Sequence, residues 1–147
     1  MVMNLLPLQP KIDHARIVAA IGDAEGRTSG EIRVIVSRRT TADAVAAAKI
    51  QFERLGMTGT AARNGVLIFL APRSRSFAVI GDTGVHEKCG EAFWTELAAA
   101  MAEHFKRGDF TAGLVLGIAR AGALLAENFP RQTDDRNELP NSVEESD

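Results

Sequence analysis

The sequence predicts one α/β domain, a small mixed β-sheet with helices on its faces. Three observations carry that prediction. Apolar runs of strand length, bounded by turn residues, lie at 31–37, 66–71 and 76–80. Stretches between and after them repeat apolar residues at helical spacing. The composition, 46% hydrophobic and 24% charged over 147 residues, is that of a single globular domain and not of a disordered chain. Read in order, the elements are helix, strand, helix, strand, strand, helix, helix.

The first helix is expected from Pro10 to Ala24. Proline suits a first helical turn, where its missing N–H costs nothing. His14, Ile17, Val18 and Ile21 share one face, and Gly26 ends the helix. Glu31 to Ser37 follows as a strand with apolar residues on both faces, so both faces should be covered. Thr40 or Thr41 then caps a second helix reaching Leu55, with Asp43 in its first turn and Val45, Ala48, Phe52 and Leu55 as its apolar face. A helix between two strands makes those strands parallel through a right-handed crossover.

Gly65 leads into the second strand, Val66 to Ala71. Pro72 to Arg75 is a short turn, and Ser76 to Ile80 returns antiparallel as a hairpin. Gly81-Asp82-Thr83-Gly84 opens a third helix of about six turns, whose stripe is Trp94, Leu97, Met101 and Phe105. A fourth helix runs from about Thr111 to Asn128, with Leu114, Ile118, Ala121, Leu125 and Phe129 inward. Its Gly113 and Gly117 permit close packing on a neighbour. The domain is expected to span 1–130. Residues 131–147 form an acidic tail, partly docked or disordered, with Leu139 as its apolar anchor.

Composition excludes several classes of function. The net charge is -2, from 17 basic and 19 acidic residues, so a phosphate-neutralising surface for nucleic acid is not expected. One cysteine, Cys89, excludes an internal disulfide and a cysteine zinc cage. The longest apolar stretch, Ala112 to Ala126, is interrupted by Arg120, so no membrane span is expected. The first residues lack the basic region and cleavage site of a secretory signal. No Walker loop, dinucleotide fingerprint or Gly-x-Ser-x-Gly elbow occurs. Gly81-x-x-Gly84 follows a strand, so it is not the loop of a KH module, which joins two helices.

Several segments together resemble the TPM domain family, also called the TPM phosphatase domain. They are Thr28-Ser29-Gly30-Glu31-Ile32, then Leu55-Gly56-Met57 with Thr60, Arg63, Asn64, Gly65, Val66 and Leu67. Gly81 to Val85, Trp94, Phe105-Lys106-Arg107-Gly108, Phe129-Pro130 and Asn137-Glu138-Leu139-Pro140 continue the likeness over essentially the whole chain. The short form resembles the stand-alone bacterial branch. The resemblance implies a three-layer α/β/α sandwich and calcium binding. It also implies the acid phosphatase activity described for a plant thylakoid branch that serves photosystem II repair. Many members carry a signal peptide and a C-terminal membrane helix. This sequence shows neither, and a cytoplasmic location is the expectation.

The topology suggests where chemistry would sit. With parallel first and second strands, Glu31 and Asn64-Gly65 share one sheet edge, and the third strand delivers Asp82 back to it. Ser29, Thr60, Arg63, Thr83 and Glu87 join them on that rim. Glu31, Asp82 and Glu87 are the candidate metal ligands, since carboxylates suit Ca²⁺, or Mg²⁺ as the alternative. Arg63, Asn64, Thr83 and Gly84 are the candidate phosphate-binding residues, through a guanidinium and the start of a helix. The structural alternatives are a helix cap for Asp82 or Thr83, a dipole complement for Glu87, a solvated strand end for Glu31, a turn for Asn64-Gly65 and a surface cation for Arg63. His86 and Cys89, three apart at a helix start, form a conceivable Cys-His pair with a favoured thiolate.

Two functions follow. One is a calcium-binding domain with weak phosphatase activity. The other is a non-enzymatic interaction module that assists a membrane or repair complex, its partner a protein such as a membrane-associated family member.

Overall fold

The computed structural model describes residues 11–131 and 143–146. Helix α1 (His14–Glu25) leads to strand β1 (Glu31–Ser37), helix α2 (Ala44–Arg54) and strand β2 (Gly65–Ala71). Strand β3 (Ser76–Gly81), helices α3 (Thr83–Lys106) and α4 (Phe110–Asn128), and strand β4 (Val143–Ser146) follow. The sheet order is β3-β2-β1-β4. β1 and β2 are parallel, with Glu31 opposite Gly65, and β2 and β3 are antiparallel, with Val66 opposite Gly81. The expected crossover and hairpin are therefore both present.

Alternation along the strands builds two cores. Ile32, Val34, Val66 and Ile68 point to one face and pack with Ile17, Leu97, Met101, Leu114 and Ile118 of α1, α3 and α4. Ile35, Leu67 and Phe69 point to the other face, where Ala48 and Phe52 of α2 cover them. The result is the expected α/β/α sandwich with unequal outer layers, three helices against one.

Local chemistry moves several boundaries. Pro10 lies outside the described residues, and α1 is capped by Asp13, whose carboxylate accepts the Arg16 N–H at 3.1 Å. Its buried stripe is the narrow set Ile17, Ile21 and Ala24, so His14 and Val18 are exposed where the apolar face was expected to include them. Asp43, not Thr40 or Thr41, caps α2 by accepting the Ala46 N–H at 3.1 Å. Thr41 is used elsewhere, donating its N–H to the Ser74 hydroxyl at 2.7 Å. Val45 is 47% exposed on the first turn of α2, although sequence spacing put it on the apolar face.

The third helix is not continuous. Gly90, at φ 74° and ψ 173°, divides α3 into a short first part and a long second part. That positive φ is open to glycine and strained for other residues. The second part carries Trp94, Leu97 and Met101 into the core.

Helix α4 has 19 residues and is long and apolar enough, by length and composition, to cross a membrane. The interruption by Arg120, from which no span is expected, does not bring the helix below that threshold. Its packing is that of a core helix: Leu114, Ile118, Ala121 and Leu125 are buried. A side chain at Gly113 would collide with the Phe105 ring at 2.4 Å, and one at Gly117 with Met101 at 2.6 Å. The small-residue spacing therefore serves the α3–α4 contact.

The start of β1 is tied to the end of α4. The Thr28 hydroxyl lies between the Leu125 and Phe129 carbonyls, and the Ser29 N–H donates to Phe129 at 2.9 Å. In the acidic tail, β4 pairs in parallel with β1, Val143 opposite Val34, and Val143 packs against the core. Leu139 and the Asn137–Pro140 segment lie outside the described residues.

Leu67 and Leu97 are each no more than 1% exposed, on opposite faces of the sheet. Truncating either to alanine should cost roughly 2–5 kcal/mol, as lost transfer energy plus a residual cavity. Urea unfolding measures this directly, and a loss below about 0.5 kcal/mol would place that side chain outside a packed core.

Candidate functional site

The rim forms where three chain segments meet. The loop from Thr60 to Asn64 enters β2, β3 ends at Gly81, and α3 starts at Thr83. Asp82 joins them: its N–H donates to the Gly65 carbonyl at 2.9 Å, extending the β2–β3 ladder by one residue. Its carboxylate accepts two bonds from the Arg63 guanidinium, Nε to Oδ2 at 2.7 Å and Nη2 to Oδ1 at 2.9 Å. Oδ1 also accepts the Thr83 N–H at 2.8 Å, which makes Asp82 the cap of α3.

The other first amides of α3 are occupied too. Gly84 N–H donates to the Arg63 carbonyl at 2.9 Å, and those of Val85 and His86 donate to the Asp82 carbonyl at 3.0 and 3.1 Å. Gly84 is required by close approach, because a Cβ there would sit 2.2 Å from the Ala62 carbonyl oxygen. Arg63 itself has φ 53°, an uncommon conformation for a side chain of its size. Its fork to Asp82 holds it there and raises its own pKa. Asn64 and Thr60 are buried, with Thr60 Oγ1 accepting the Asn64 N–H at 3.2 Å and the Asn64 amide reaching Ser29 Oγ at 3.3 Å.

The predicted residues thus separate into two environments. Arg63, Asp82, Thr83 and Gly84 are together, and Asn64 bonds Ser29 beside them. Glu31 is adjacent in register, but its carboxyl faces another way. It is 1% exposed and within hydrogen-bond reach of Glu25, at the end of α1. Glu87 is exposed on the first part of α3. Calcium takes about six to eight oxygen ligands. Among the described residues no three His, Cys, Asp or Glu side chains gather to hold a metal. Glu31, Asp82 and Glu87 therefore do not fit a calcium ion as a set. The Cys-His pair does not form a thiolate site either. Burial, followed by Glu127, pushes the Cys89 thiol up, and His86 packs on Trp94 with ring centroids 5.6 Å apart.

Beside the fork lies an open groove of about 440 Å³. Phe52 and Ile80 form its apolar part, and Lys49, Glu53, Thr58, Asp82, His86 and Glu87 supply polar groups. Lys49, Glu53 and Thr58 were not among the sequence candidates. Nothing in their spacing marks them, because the crossover decides which flank of α2 faces the end of β3.

Glu25 was missed as well, and only burial reveals it. Its Oε2 accepts the Ile32 N–H at 2.7 Å. Burial first, then the Glu31 carboxyl, raises its pKa from 4.5 to about 8, against the pull of the Ile32 N–H and Arg33. The folded chain therefore binds more protons than the unfolded chain between those two values, and stability falls as pH rises through that window. Thermal melts from pH 5 to pH 9 should show Glu25→Gln matching the wild type at the acid end and exceeding it at the alkaline end. A constant difference across the series would mean that Glu25 ionises normally.

A second outcome belongs to the rim. Gly84→Ala should destabilise the fold by about 2 kcal/mol or more, because the obstacle is backbone and not a flexible side chain. An unchanged denaturation midpoint would show that the Thr60–Asn64 loop yields easily.

The model for the TPM domain matches residues 8–124, most of the chain. The protein BA42 from the psychrophilic bacterium Bizionia argentinensis, solved by NMR, is 38% identical with a TM-score of 0.86, over 95% of this chain and 99% of that one. The N-terminal domain of the cg2496 protein from Corynebacterium glutamicum has a TM-score of 0.57 at 16% identity, over 88% of this chain and 75% of that one, a likeness of fold alone. No curated protein matches. The family match over most of the length, together with the BA42 likeness, shows that the chain belongs to the TPM domain family.

Proposed function

We propose that this TPM domain works as a binding module and not as an efficient phosphatase, with the groove at the end of β3 as its recognition surface. The observation that carries this reading is the commitment of Asp82. Both its oxygens are engaged by Arg63, and one also caps α3. Hydrolysis needs a base or nucleophile free to exchange a proton, and donors aimed at the developing charge. Here the rim carboxylate is held by a guanidinium, and the first amides of α3 already donate to the chain. The His86 ring packs on Trp94, away from any proton relay to a carboxylate among the described residues. An apolar floor with a rim of mixed charge suits recognition of a protein segment.

A cation-binding reading has one observation in its favour. Glu53, Asp82 and Glu87 line the same groove against a single lysine, Lys49. Glu53 and Glu87 are exposed, so packing does not fix their rotamers.

Turnover of p-nitrophenyl phosphate, with and without CaCl₂, and the melting temperature in CaCl₂ separate these readings. The binding-module reading expects wild type, Asp82→Asn and Glu87→Gln to show the same background turnover and no Ca²⁺ shift. A melting temperature that climbs with the logarithm of Ca²⁺ concentration, and does so less in Glu87→Gln, would establish cation binding without catalysis. Calcium-dependent turnover abolished in both variants would overturn the proposal.

A further inference from the structure

The end of α1 and the start of β1 enclose two carboxyls that the groove does not use. Glu25 and Glu31 are each 1% exposed. Glu25 Oε2 accepts the Ile32 N–H at 2.7 Å. Its Oε1 is buried and receives no N–H or O–H of the described residues, and the Glu31 carboxyl lies within hydrogen-bond reach. Two carboxyls meet at that range across a shared proton, because ionised oxygens only accept. Arg33 follows Glu31 on the same face of β1, 7% exposed, and supplies one positive charge to the cluster. With the proton in place the cluster is neutral: one carboxylate, one carboxylic acid, one guanidinium. Without it a buried negative charge is left over.

The neighbouring elements bring little that could offset that charge. Helix α4 meets this end of α1 and β1 with Gly122 and Leu125, both uncharged. Arg27, on the turn between α1 and β1, pairs with Asp23 at 3.8 Å on the exposed side. From the segment after α4, Arg131 donates through Nη1 to the Glu25 carbonyl at 3.1 Å.

The bonds that close this turn also hold the C-terminal segment. Arg131 N–H donates to the Arg27 carbonyl at 3.3 Å, and Thr28 bridges Pro130. Just beyond Ile32, β4 takes over the edge of β1, from Val34 opposite Val143 to Ser37 opposite Ser146. Main-chain groups alternate sides along a strand, so the Ile32 N–H held by Glu25 points to the edge that Val34 and Val36 turn toward β4. Glu25 thus completes at Ile32 the edge that β4 covers. An ionised Glu25 needs water, and most of its surroundings cannot give way. Gly122 lies so close to Ala24 that a Cβ there would be 2.5 Å from the Ala24 Cβ, and β2 closes the other edge of β1. What can open is the turn with Arg131 and the four-residue β4 beside it.

We infer that Glu25 and Glu31 form a proton latch on the C-terminal strand: while they share a proton the turn and β4 stay closed on β1, and loss of that proton opens the turn and releases β4. The latch uses neither the groove nor Asp82, so it stands apart from the recognition reading.

Hydrogen exchange of the full chain, followed by NMR from pH 5 to pH 9, tests this. The Val36 amide reports release of β4, and the Ile118 amide, in the middle of α4, reports unfolding of the whole domain. Opening sets one proton free. The Val36 protection factor should therefore fall by up to about tenfold for each pH unit as far as pH 8, and level off above it. It should be at least about tenfold below that of Ile118 and respond less to dilute urea, as a local opening does. Glu25→Gln keeps a donor toward Glu31 and an acceptor for Ile32 without ionising, so its Val36 protection should not vary with pH. If that variant does not fold, Arg131→Ala decides, and should lower Val36 protection about tenfold at every pH. Val36 protection that is constant with pH in the wild type would overturn the inference. So would the wild-type slope persisting in Glu25→Gln, or unchanged protection in Arg131→Ala. A single protection factor and urea response for Val36 and Ile118 would also overturn it, because the pair would then act on the fold as a whole.

Discussion

The junction at Asp82 is the constraint on which the rest of the domain depends. One residue ends β3, caps α3 and holds the loop that feeds β2. Its individual contributions are ordinary. A cap is worth about 1 kcal/mol. A charge-assisted bond contributes about 1.5–3 kcal/mol, and this one less, since the Arg63 side chain is 46% exposed. Against this stands the left-handed backbone of Arg63, which costs on the order of 1 kcal/mol. The junction matters less for its net energy than for what it fixes. With Gly84 pressed on the Ala62 carbonyl, α3 can leave the sheet in only one direction. That direction lays Val85 on the face lined by Val66 and Ile68, and beyond the break at Gly90 the second part of α3 brings Trp94, Leu97 and Met101 over the same face.

The same sheet end also separates two carboxylates that sequence alone would pool. Glu31 and Asp82 adjoin in the ladder through Gly65, yet they meet different neighbours. Asp82 meets a guanidinium and stays at the rim. Glu31 meets Glu25 inside, where burial favours a neutral acid and a proton is retained on the pair. The groove's charge is therefore set by Glu53 and Glu87 against Lys49, with Asp82 matched by Arg63, and the Glu25–Glu31 pair acts on folding.

Elements with strong periodicity were legible in the sequence. The apolar runs at β1, β2 and β3 have strand length and turn boundaries, and a helix of crossover length between the first two leaves parallel pairing as the simple solution. Less was legible where one residue type has several uses. Asp43 and Thr41 are both good caps, and the fold decides between them by committing the Thr41 hydroxyl to the Asp43 main chain. Gly90 sits in a helical pattern, where glycine signals either tolerance or a break. At the rim, Arg63 and Asp82 were recognisable as partners in one place. That they would bond each other, and not a ligand, depends on distances set by the β2–β3 register. Lys49, Glu53 and Glu25 carry no local signal, because their roles arise from which helix flank faces which strand end.

The unequal layers explain why recognition belongs on one side of this molecule. Three helices cover the face that holds Ile32 and Val66, and glycines at 113 and 117 let α4 approach α3 closely. An apolar helix long enough to cross a membrane is thereby used up in the core. The opposite face has α2 alone, eleven residues long. Ala48 and Phe52 pack there on Phe69 of β2 and Ala78 of β3, so α2 lies over the margin of the sheet and not over its middle. The main-chain groups of Phe77 and Val79 that turn away from β2, and the groove beside Asp82, lie along that margin. A fold that spends its apolar helices on one face leaves its chemistry and its open hydrogen bonds at the edge of the other.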